Sequence, residues 1–180
     1  KRTVPDLCEM GIVCNHTGLM PAAAAFHAPH ARVTELCDIF ASQEAGGILT
    51  TTPFIDVFNC MRRTDEQSFG GGVFIIVDTE KNDSWEILRE KGISVSEDGK
   101  RALLYNPSHL LGLEAAISVM STVWLDKPTG NQDIRHNVDL HARASRDWSA
   151  GEVLVITDHH HHEIDGLFAE LNPSAHAGEN

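Results

Sequence analysis

The chain has 180 residues, of which 42% are hydrophobic and 22% charged, so it is long enough and apolar enough for a globular protein with a hydrophobic core. Its 26 acidic and 14 basic residues give a formal net charge of -12, which would repel a phosphate backbone, and we expect no nucleic-acid partner. No apolar run approaches the roughly 20 residues of a membrane helix, so we also expect no membrane span.

The cysteines indicate whether the protein belongs to a reducing or an oxidising compartment. All four are widely spaced, lie among apolar residues and form no Cys-x-x-Cys pair. The first residues contain prolyl and acidic residues instead of the continuous apolar core of a secretion signal. We therefore predict a reduced, cytoplasmic protein. The abrupt helix-like start and the polar end further suggest a piece excised from a longer chain.

In the first half of the chain, apolar residues at helical spacing predict a helix from Val4 to Val13, ending near Asn15. A long loop of turn residues follows, and a second helix is predicted from Val33 to Phe40. Phe54 to Met61 and Val73 to Val77 have the composition of strands, and the β-branched residues of the second indicate that it is buried.

In the second half, a helix is predicted from Ser84 to Lys91, with Trp85, Ile87 and Leu88 as core anchors, and a strand from Arg101 to Tyr105. Ser108 to Leu125 has the clearest helical periodicity in the chain, which predicts the central packing helix.

The polar, proline-bearing and glycine-bearing stretch that begins at Asp126 predicts a domain boundary. Beyond it, strands are predicted at Val138 to Ala144 and Val153 to Ile156. The predicted divisions are a domain over residues 1–126, a linker over 127–137 and a small all-β module over 138–180. The predicted fold class is α+β, with a mixed or antiparallel sheet covered by helices on one face and followed by a partial all-β module.

Four ordered sequence blocks carry a resemblance to a known family. They are Lys1, Thr3, Glu9-Met10 and Asn15-His16-Thr17-Gly18; Gly71-Gly72-Val73-Phe74-Ile75-Ile76-Val77; Leu104-Tyr105-Asn106-Pro107-Ser108-His109-Leu110 with Glu114; and Lys127-Pro128-Thr129-Gly130 with Arg146-Asp147 and Gly151-Glu152. Together they resemble the homoserine-dehydrogenase-like oxidoreductases, a family that includes deoxyxylulose-phosphate reductoisomerase-like enzymes of isoprenoid-precursor synthesis. The last block resembles the entry into that family's C-terminal SAF domain, a β-clip-like module.

The resemblance implies an enzyme that uses NAD or NADP to oxidise or reduce a small hydroxy-carbonyl or sugar-phosphate compound, and that forms a homo-oligomer through its sheet. It implies catalytic roles for Lys1, His109 and Glu114, with Lys1 moving a proton between hydroxyl and carbonyl. The implied substrate-binding residues are Asn15, Thr17, Lys91, Tyr105, Asn106 and Ser108.

Several of these residues also have an ordinary structural interpretation. Asn15 and Thr17 belong to residue types that end helices and form turns. His109 could be a core residue whose ring nitrogens are hydrogen-bonded within the protein, and Lys91 could complement a helix dipole. Lys1 could be an ordinary exposed charge.

The sequence also departs from the family pattern. It contains no Gly-x-Gly-x-x-Gly turn, whose backbone N–H groups bind a dinucleotide pyrophosphate, so the nucleotide domain is expected outside this chain and the chain alone is expected to be inactive. Asn106 stands where an arginine is common in relatives.

The internal run His159-His160-His161-His162-Glu163 offers imidazole and carboxylate ligands, and His159 and His161 would share one face of a strand. A divalent metal site there supports a second hypothesis, a non-catalytic binding or assembly module. A third hypothesis is part of a sugar-acid lyase or dehydratase, because SAF modules also accompany such enzymes.

Overall fold

The computed structural model describes residues 7–78, 82–153, 163–164 and 167–176. The helices are α1 (Leu7–Thr17), α2 (Leu36–Ile39), α3 (Asn82–Glu90) and α4 (Leu111–Leu125). The strands are β1 (Met20–Pro21), β2 (His30–Ala31), β3 (Phe54–Ile55), β4 (Asn59–Cys60), β5 (Val73–Asp78), β6 (Ser94–Val95), β7 (Arg101–Asn106), β8 (Val138–Ala144), β9 (Glu163–Ile164) and β10 (Leu167–Pro173). Helices and strands are mixed, so the predicted α+β class is confirmed.

Within the described residues, the strands form four small sheets. Two are parallel pairs, β1 with β3 and β2 with β4. The other two are antiparallel, in the orders β5-β7-β6 and β8-β10-β9. The predicted strand from Phe54 to Met61 is therefore two short strands, and neither joins the Val73 and Arg101 strands in one sheet. Their partners lie 29 and 34 residues upstream, beyond the reach of a local pattern.

Contacts divide the chain into two compact units, each built from separated segments. Unit 1 contains the described residues of Lys1–Ala28, Pro53–Val57 and Gly130–Asn180, and unit 2 those of Pro29–Thr52 and Phe58–Thr129. The predicted division into a domain (residues 1–126), a linker (127–137) and an all-β module (138–180) stays a prediction.

The core of unit 1 forms where helix α1 meets the β8–β10 hairpin. Its buried members are Leu7, Cys14, Phe26, Ile55, Val138 and Leu171. Leu7 and Cys14 are two helical turns apart and therefore share one face of α1. A fully buried aliphatic side chain such as Leu171 contributes about 1.5–3 kcal/mol through removal of apolar surface from water.

The core of unit 2 contains a cluster of aromatic rings. Phe74 of β5 lies 5.6 Å from the Phe40 ring and 5.4 Å from the Phe58 ring, centroid to centroid. Strand side chains alternate between faces, so Val73 and Ile75 point away from this cluster and are 62% and 59% exposed. The prediction that this strand is buried is therefore wrong for one of its two faces.

Helix α4 lies where the sequence predicted a helix, but it does not have the predicted role. Leu113, Val123 and Trp124 are each more than 70% exposed, so α4 is not a central packing helix. Ile87 of α3 is also mainly exposed and is no core anchor. Helical periodicity identifies an apolar face without saying what covers it.

The C-terminal hairpin contains the predicted strand β8, whose partner is β10. Val153 lies outside any strand, and residues 154–156 of the other predicted strand lie outside the described residues. The SAF-like character of this module stays a prediction. In the part of the chain that the structure describes, no helix is both long enough and apolar enough to cross a membrane.

A buried guanidinium anchors the turn between β6 and β7 in unit 2. Arg101 is 6% exposed, and it donates from Nε to the Cys37 carbonyl (2.9 Å) and from Nη2 to Asp98 Oδ2 (3.1 Å). The Ser96 hydroxyl donates to Asp98 Oδ1 (2.6 Å) and accepts from the Arg101 backbone N–H (3.0 Å). The hydrogen bond from Ser96, with help from the Lys100 N–H and Arg101, holds the pKa of Asp98 below its usual range.

This network predicts a specific acid sensitivity. Because the folded-state pKa of Asp98 is lowered, its stabilising contribution is complete above the usual Asp pKa and is lost as pH falls through the folded value. We expect Asp98→Asn to lower the free energy of unfolding at neutral pH by about 1 kcal/mol, because the buried Arg101 loses a charged partner whose 36% exposure lets solvent screen the interaction. The loss should shrink as the pH is lowered.

Urea denaturation as a function of pH measures this difference, with Glu97→Gln as a control at the adjacent exposed carboxylate. Equal stability of Asp98→Asn and the parent chain at neutral pH would contradict the role assigned to the network.

Candidate functional site

A parallel strand pair in unit 2 brings two arginines together. Strands β2 and β4 pair in the register His30↔Asn59 and Ala31↔Cys60. Arg32 directly follows β2, Arg62 lies two residues beyond the end of β4, and both arginines line the same cleft.

Glu66 organises these arginines. Its carboxylate forms an ion pair with the Arg32 guanidinium and accepts from the Arg63 backbone N–H (2.8 Å). Its carbonyl accepts from Arg62 Nη1 (2.9 Å). The hydrogen bond from the Arg63 N–H, followed by the charge and hydrogen bond of Arg32 and by the charge of Arg63, lowers the pKa of Glu66, so this carboxylate is ionised at neutral pH.

An open cleft of about 170 Å³ lies over this arrangement. Its lining is Arg32, Val33, Thr34, Cys60, Met61, Arg62, Glu66, Gln67, Ser68, Phe69, Tyr105 and Pro107. Two guanidinium groups against one carboxylate leave a local excess of positive charge. Arg32 Nε is also buried and has no hydrogen-bond partner among the described residues. Guanidinium, hydroxyl and amide groups suit the recognition of a carboxylate or phosphate group.

Of the residues predicted from the sequence, Tyr105 lies in this cleft. Its ring is about half exposed and packs against the Phe69 ring at 5.9 Å. Asn106 ends β7 opposite Val73, and Ser108 and His109 follow in the segment before α4. The His109 ring hydrogen-bonds through Nδ1 to the Gly71 carbonyl, so it packs on the turn that leads into β5. Gly71 has a positive φ of 73°, and a Cβ there would lie 3.3 Å from the His109 ring.

Two other predicted residues of unit 2 lie outside the cleft lining. Lys91 follows α3, and its backbone N–H donates to the Leu88 carbonyl (3.1 Å) as the helix ends. Glu114 lies in the first turn of α4 and is exposed. Their predicted roles stay predictions.

The predicted residues of unit 1 have mainly local partners. Asn15 donates from Nδ2 to the Val138 carbonyl (3.1 Å), and its Oδ1 accepts from the backbone N–H groups of Asn137 (2.8 Å) and Val138 (3.0 Å). Thr17 donates to the Val13 carbonyl (2.7 Å) at the end of α1. These bonds favour structural roles for both residues. Lys1, His159 and His161 lie outside the described residues.

Sequence reasoning missed the arginines of the cleft, because the pairing of β2 with β4 is long-range. It also missed a histidine–carboxylate pair in unit 1, in which the His27 ring lies 2.6 Å from Asp56. His27 stood out only as a residue of a turn-rich segment. A helix, strand or motif pattern gives no signal for either site.

The described residues do not fit a dinucleotide or a clustered metal. The glycine-rich segment that ends at Gly72 leads into a strand and so presents no helix N-terminus to a pyrophosphate. Over the described ranges, no group of three or more His, Cys, Asp and Glu side chains is placed to hold a metal ion.

Comparison with known families identifies the class of protein. The family model described as "Oxidoreductase DRL, catalytic domain" matches residues 4–115, which include the cleft, the histidine–carboxylate pair and strands β1 to β7. The chain therefore contains the catalytic domain of an oxidoreductase.

Since the match covers well over half of the 180 residues, the chain belongs to the DRL oxidoreductase family. No curated protein matches the chain. The prediction that it is part of an oxidoreductase enzyme is confirmed.

The cysteines provide a test of the cleft that needs no substrate. Burial raises the pKa of both Cys14 and Cys37 to about 11, so their thiols are protonated at neutral pH and poorly nucleophilic. Cys8 is exposed, and Cys60 lines the cleft. We expect iodoacetamide to alkylate Cys8 and Cys60 quickly and the buried pair slowly in the folded chain.

Inorganic phosphate should slow alkylation of Cys60 and leave Cys8, the internal control, unchanged. Peptide mass spectrometry at successive times follows each site. A Cys60 rate that is the same at all phosphate concentrations would argue against anion binding in the cleft.

Proposed function

We propose that this chain is the substrate domain of an NAD(P)-dependent, homoserine-dehydrogenase-like oxidoreductase that acts on a small anionic hydroxy-carbonyl compound. The observation that carries the proposal is that Arg32 and Arg62 both contact Glu66 and line one cleft, within the region that matches the oxidoreductase family. Deoxyxylulose 5-phosphate, the substrate of the reductoisomerase-like relatives, is the first candidate.

In this proposal the cleft residues have distinct tasks. Arg62 and Arg32 bind the carboxylate or phosphate group through charge-assisted hydrogen bonds. Tyr105 and Ser68 supply hydroxyl groups that orient the rest of the molecule. The substrate-binding roles of Asn106, Ser108 and Lys91, and the catalytic roles of Lys1, His109 and Glu114, remain part of the proposal through the resemblance.

The nicotinamide nucleotide would be held by a domain outside this chain, because the residues here do not fit its pyrophosphate. NAD or NADP would supply or accept the hydride. The contribution of this chain is to bind and orient the substrate and to supply the residues that move its proton. A cytoplasmic location and a SAF-like role for residues 138–180 belong to the same proposal. No observation favours the metal-binding module or the lyase over it.

Substitution in the cleft tests the proposal. With the full-length protein and NADPH, we expect Arg62→Met to raise the KM for deoxyxylulose 5-phosphate about 10- to 100-fold, because a charge-assisted hydrogen bond contributes roughly 1.5–3 kcal/mol. Turnover of deoxyxylulose, which lacks the phosphate, should be the same in variant and parent. Consumption of NADPH, followed by absorbance, gives both constants.

Arg63→Met is the matched control, since Arg63 is the adjacent arginine and its side chain lies outside the cleft lining. If Arg62→Met left the KM for the phosphate ester unchanged, the assignment of the cleft would be wrong. A hydroxy-carboxylic acid in place of the ester distinguishes the two kinds of anion.

We further propose that the protein is a homo-oligomer. In unit 2 the outward face of β5 and much of α4 are apolar and exposed, with Val73 at 62% and Trp124 at 73%. Exposed apolar surface of this kind is common at protein interfaces. In homoserine-dehydrogenase-like relatives the corresponding sheet forms the dimer, which makes a second copy the proposed occupant.

The oligomer is tested by sedimentation velocity at micromolar concentration. We expect a dimer for the parent chain and a shift toward monomer for Trp124→Glu, because a buried unpaired charge is costly at an apolar interface. Val153→Glu, at an exposed apolar residue of unit 1, is the control and should leave the dimer intact. A monomeric parent chain would contradict the proposed interface.

A further inference from the structure

The arginine cleft of unit 2 contains a negative charge that the binding of an anion does not require. Glu66 lines the cleft together with Arg32 and Arg62, and its carboxylate is ionised at neutral pH. An ionised carboxylate repels an incoming carboxylate or phosphate group, and a contact between like charges is costly. A cleft that recognised only an anionic group would therefore bind it more tightly without Glu66.

The carboxylate of Glu66 has acceptor capacity left for a ligand. Its Oε1 pairs with the Arg32 guanidinium, and its Oε2 accepts from the Arg63 backbone N–H (2.8 Å). An ionised carboxylate has about four lone-pair sites, so these contacts, taken among the described residues, leave some of them open. The Glu66 side chain is 29% exposed, so the hydroxyl group of a small molecule in the cleft can reach it.

The two arginines keep donors for the anionic group. Arg62 donates from Nη1 to the Glu66 carbonyl (2.9 Å), and a guanidinium carries several further N–H groups. The Arg32 side chain is 43% exposed, so its guanidinium also meets the solvent. The cleft thus presents positively charged donors beside a carboxylate that can only accept. This combination is complementary to a molecule that carries an anionic group and a hydroxyl group a few bonds apart.

We propose that Glu66 determines the specificity of the cleft by accepting a hydrogen bond from a hydroxyl group next to the anionic group of the substrate. The anionic group itself binds Arg32 and Arg62, so this inference rests on the function proposed above. It narrows the substrate class to hydroxyl-bearing anions, such as a phosphate monoester with a hydroxyl group on the neighbouring carbon. Deoxyxylulose 5-phosphate has such a hydroxyl group. An anion without one meets the repulsion of Glu66 and gains no hydrogen bond from it.

A counter-ion that only holds Arg32 in place would make the same contacts within the protein. The two roles differ in their effect on a pair of ligands that differ by one hydroxyl group, 2-hydroxyethyl phosphate and ethyl phosphate. Loss of a positioning counter-ion would weaken the binding of both esters alike. Loss of a hydroxyl acceptor removes the preference for the hydroxyl-bearing ester and, because the repulsion also disappears, strengthens the binding of the other ester.

Isothermal titration calorimetry of the full-length protein with each ester at pH 8 measures this difference. We expect the parent protein to bind 2-hydroxyethyl phosphate about 10-fold more tightly than ethyl phosphate, because a hydrogen bond to a charged group has a strength of this order. In Glu66→Gln we expect ethyl phosphate to bind about 10-fold more tightly than in the parent, because the like charge is gone. The two esters should then bind with similar affinity.

Asp65→Asn is the matched control. It makes the same change of charge in the same turn, but Asp65 is exposed and lies outside the cleft lining. This variant should keep the preference of the parent protein for 2-hydroxyethyl phosphate. The comparison of the two esters in the parent protein needs no variant, so it tests the inference even if Glu66→Gln does not fold.

This inference and the proposed function fail in different ways. A parent protein that binds both esters with equal affinity, or a Glu66→Gln variant that binds both more weakly in the same proportion, would overturn the role of Glu66 and leave the anion site intact. A parent protein that binds neither ester would contradict the anion site, and with it both proposals.

Discussion

The carboxylate of Glu66 is the contact on which the geometry of the cleft depends. Arg32 and Arg62 follow adjacent parallel strands and line the same cleft, so a nearby counter-charge stabilises the two positive charges there. Glu66 provides that charge to Arg32, and its carbonyl binds Arg62. Because the Arg63 N–H also binds the carboxylate, the turn from Arg63 to Glu66 is fixed in place.

In the proposed function, this cleft binds the anionic group of the substrate, and other residues carry out the reaction. One carboxylate offsets only part of two guanidinium charges, so the cleft keeps donors for an incoming anion while its empty form is stabilised. In unit 1, the buried Asp56 performs a comparable task for His27 with uncharged backbone N–H groups as its other partners. The Glu66 cleft in unit 2 and the His27–Asp56 pair in unit 1 are thus each organised by a carboxylate, and both lie in the region that matches the oxidoreductase family.

Local periodicity was sufficient to predict most of the longer elements. Helices α1, α3 and α4 and strands β5, β7 and β8 all lie where the spacing of apolar residues placed them. What packs against these elements could not be predicted in the same way. The apolar stripe of α4 and the β-branched residues of β5 are equally consistent with a core and with an interface, and the structure leaves both largely exposed.

The candidate site was harder to predict because long-range pairing builds it. Nothing in the residues next to Arg32 indicates that Arg62 will line the same cleft, since the pairing of β2 with β4 and the contacts with Glu66 bring together residues about 30 positions apart. The resemblance did identify Tyr105, which lines the cleft. It also suggested Asn15, whose side chain instead binds the start of β8, because a sequence motif cannot distinguish a polar group that binds substrate from one that binds backbone.

The central claim is that the arginine cleft binds the anionic group of the substrate, and locating that group is the most direct test. Crystals of the full-length protein grown with deoxyxylulose 5-phosphate would show its position by difference density. The account predicts the phosphate within hydrogen-bond distance of the Arg32 and Arg62 guanidinium groups. Sugar phosphate bound elsewhere, with the cleft left to solvent, would contradict it.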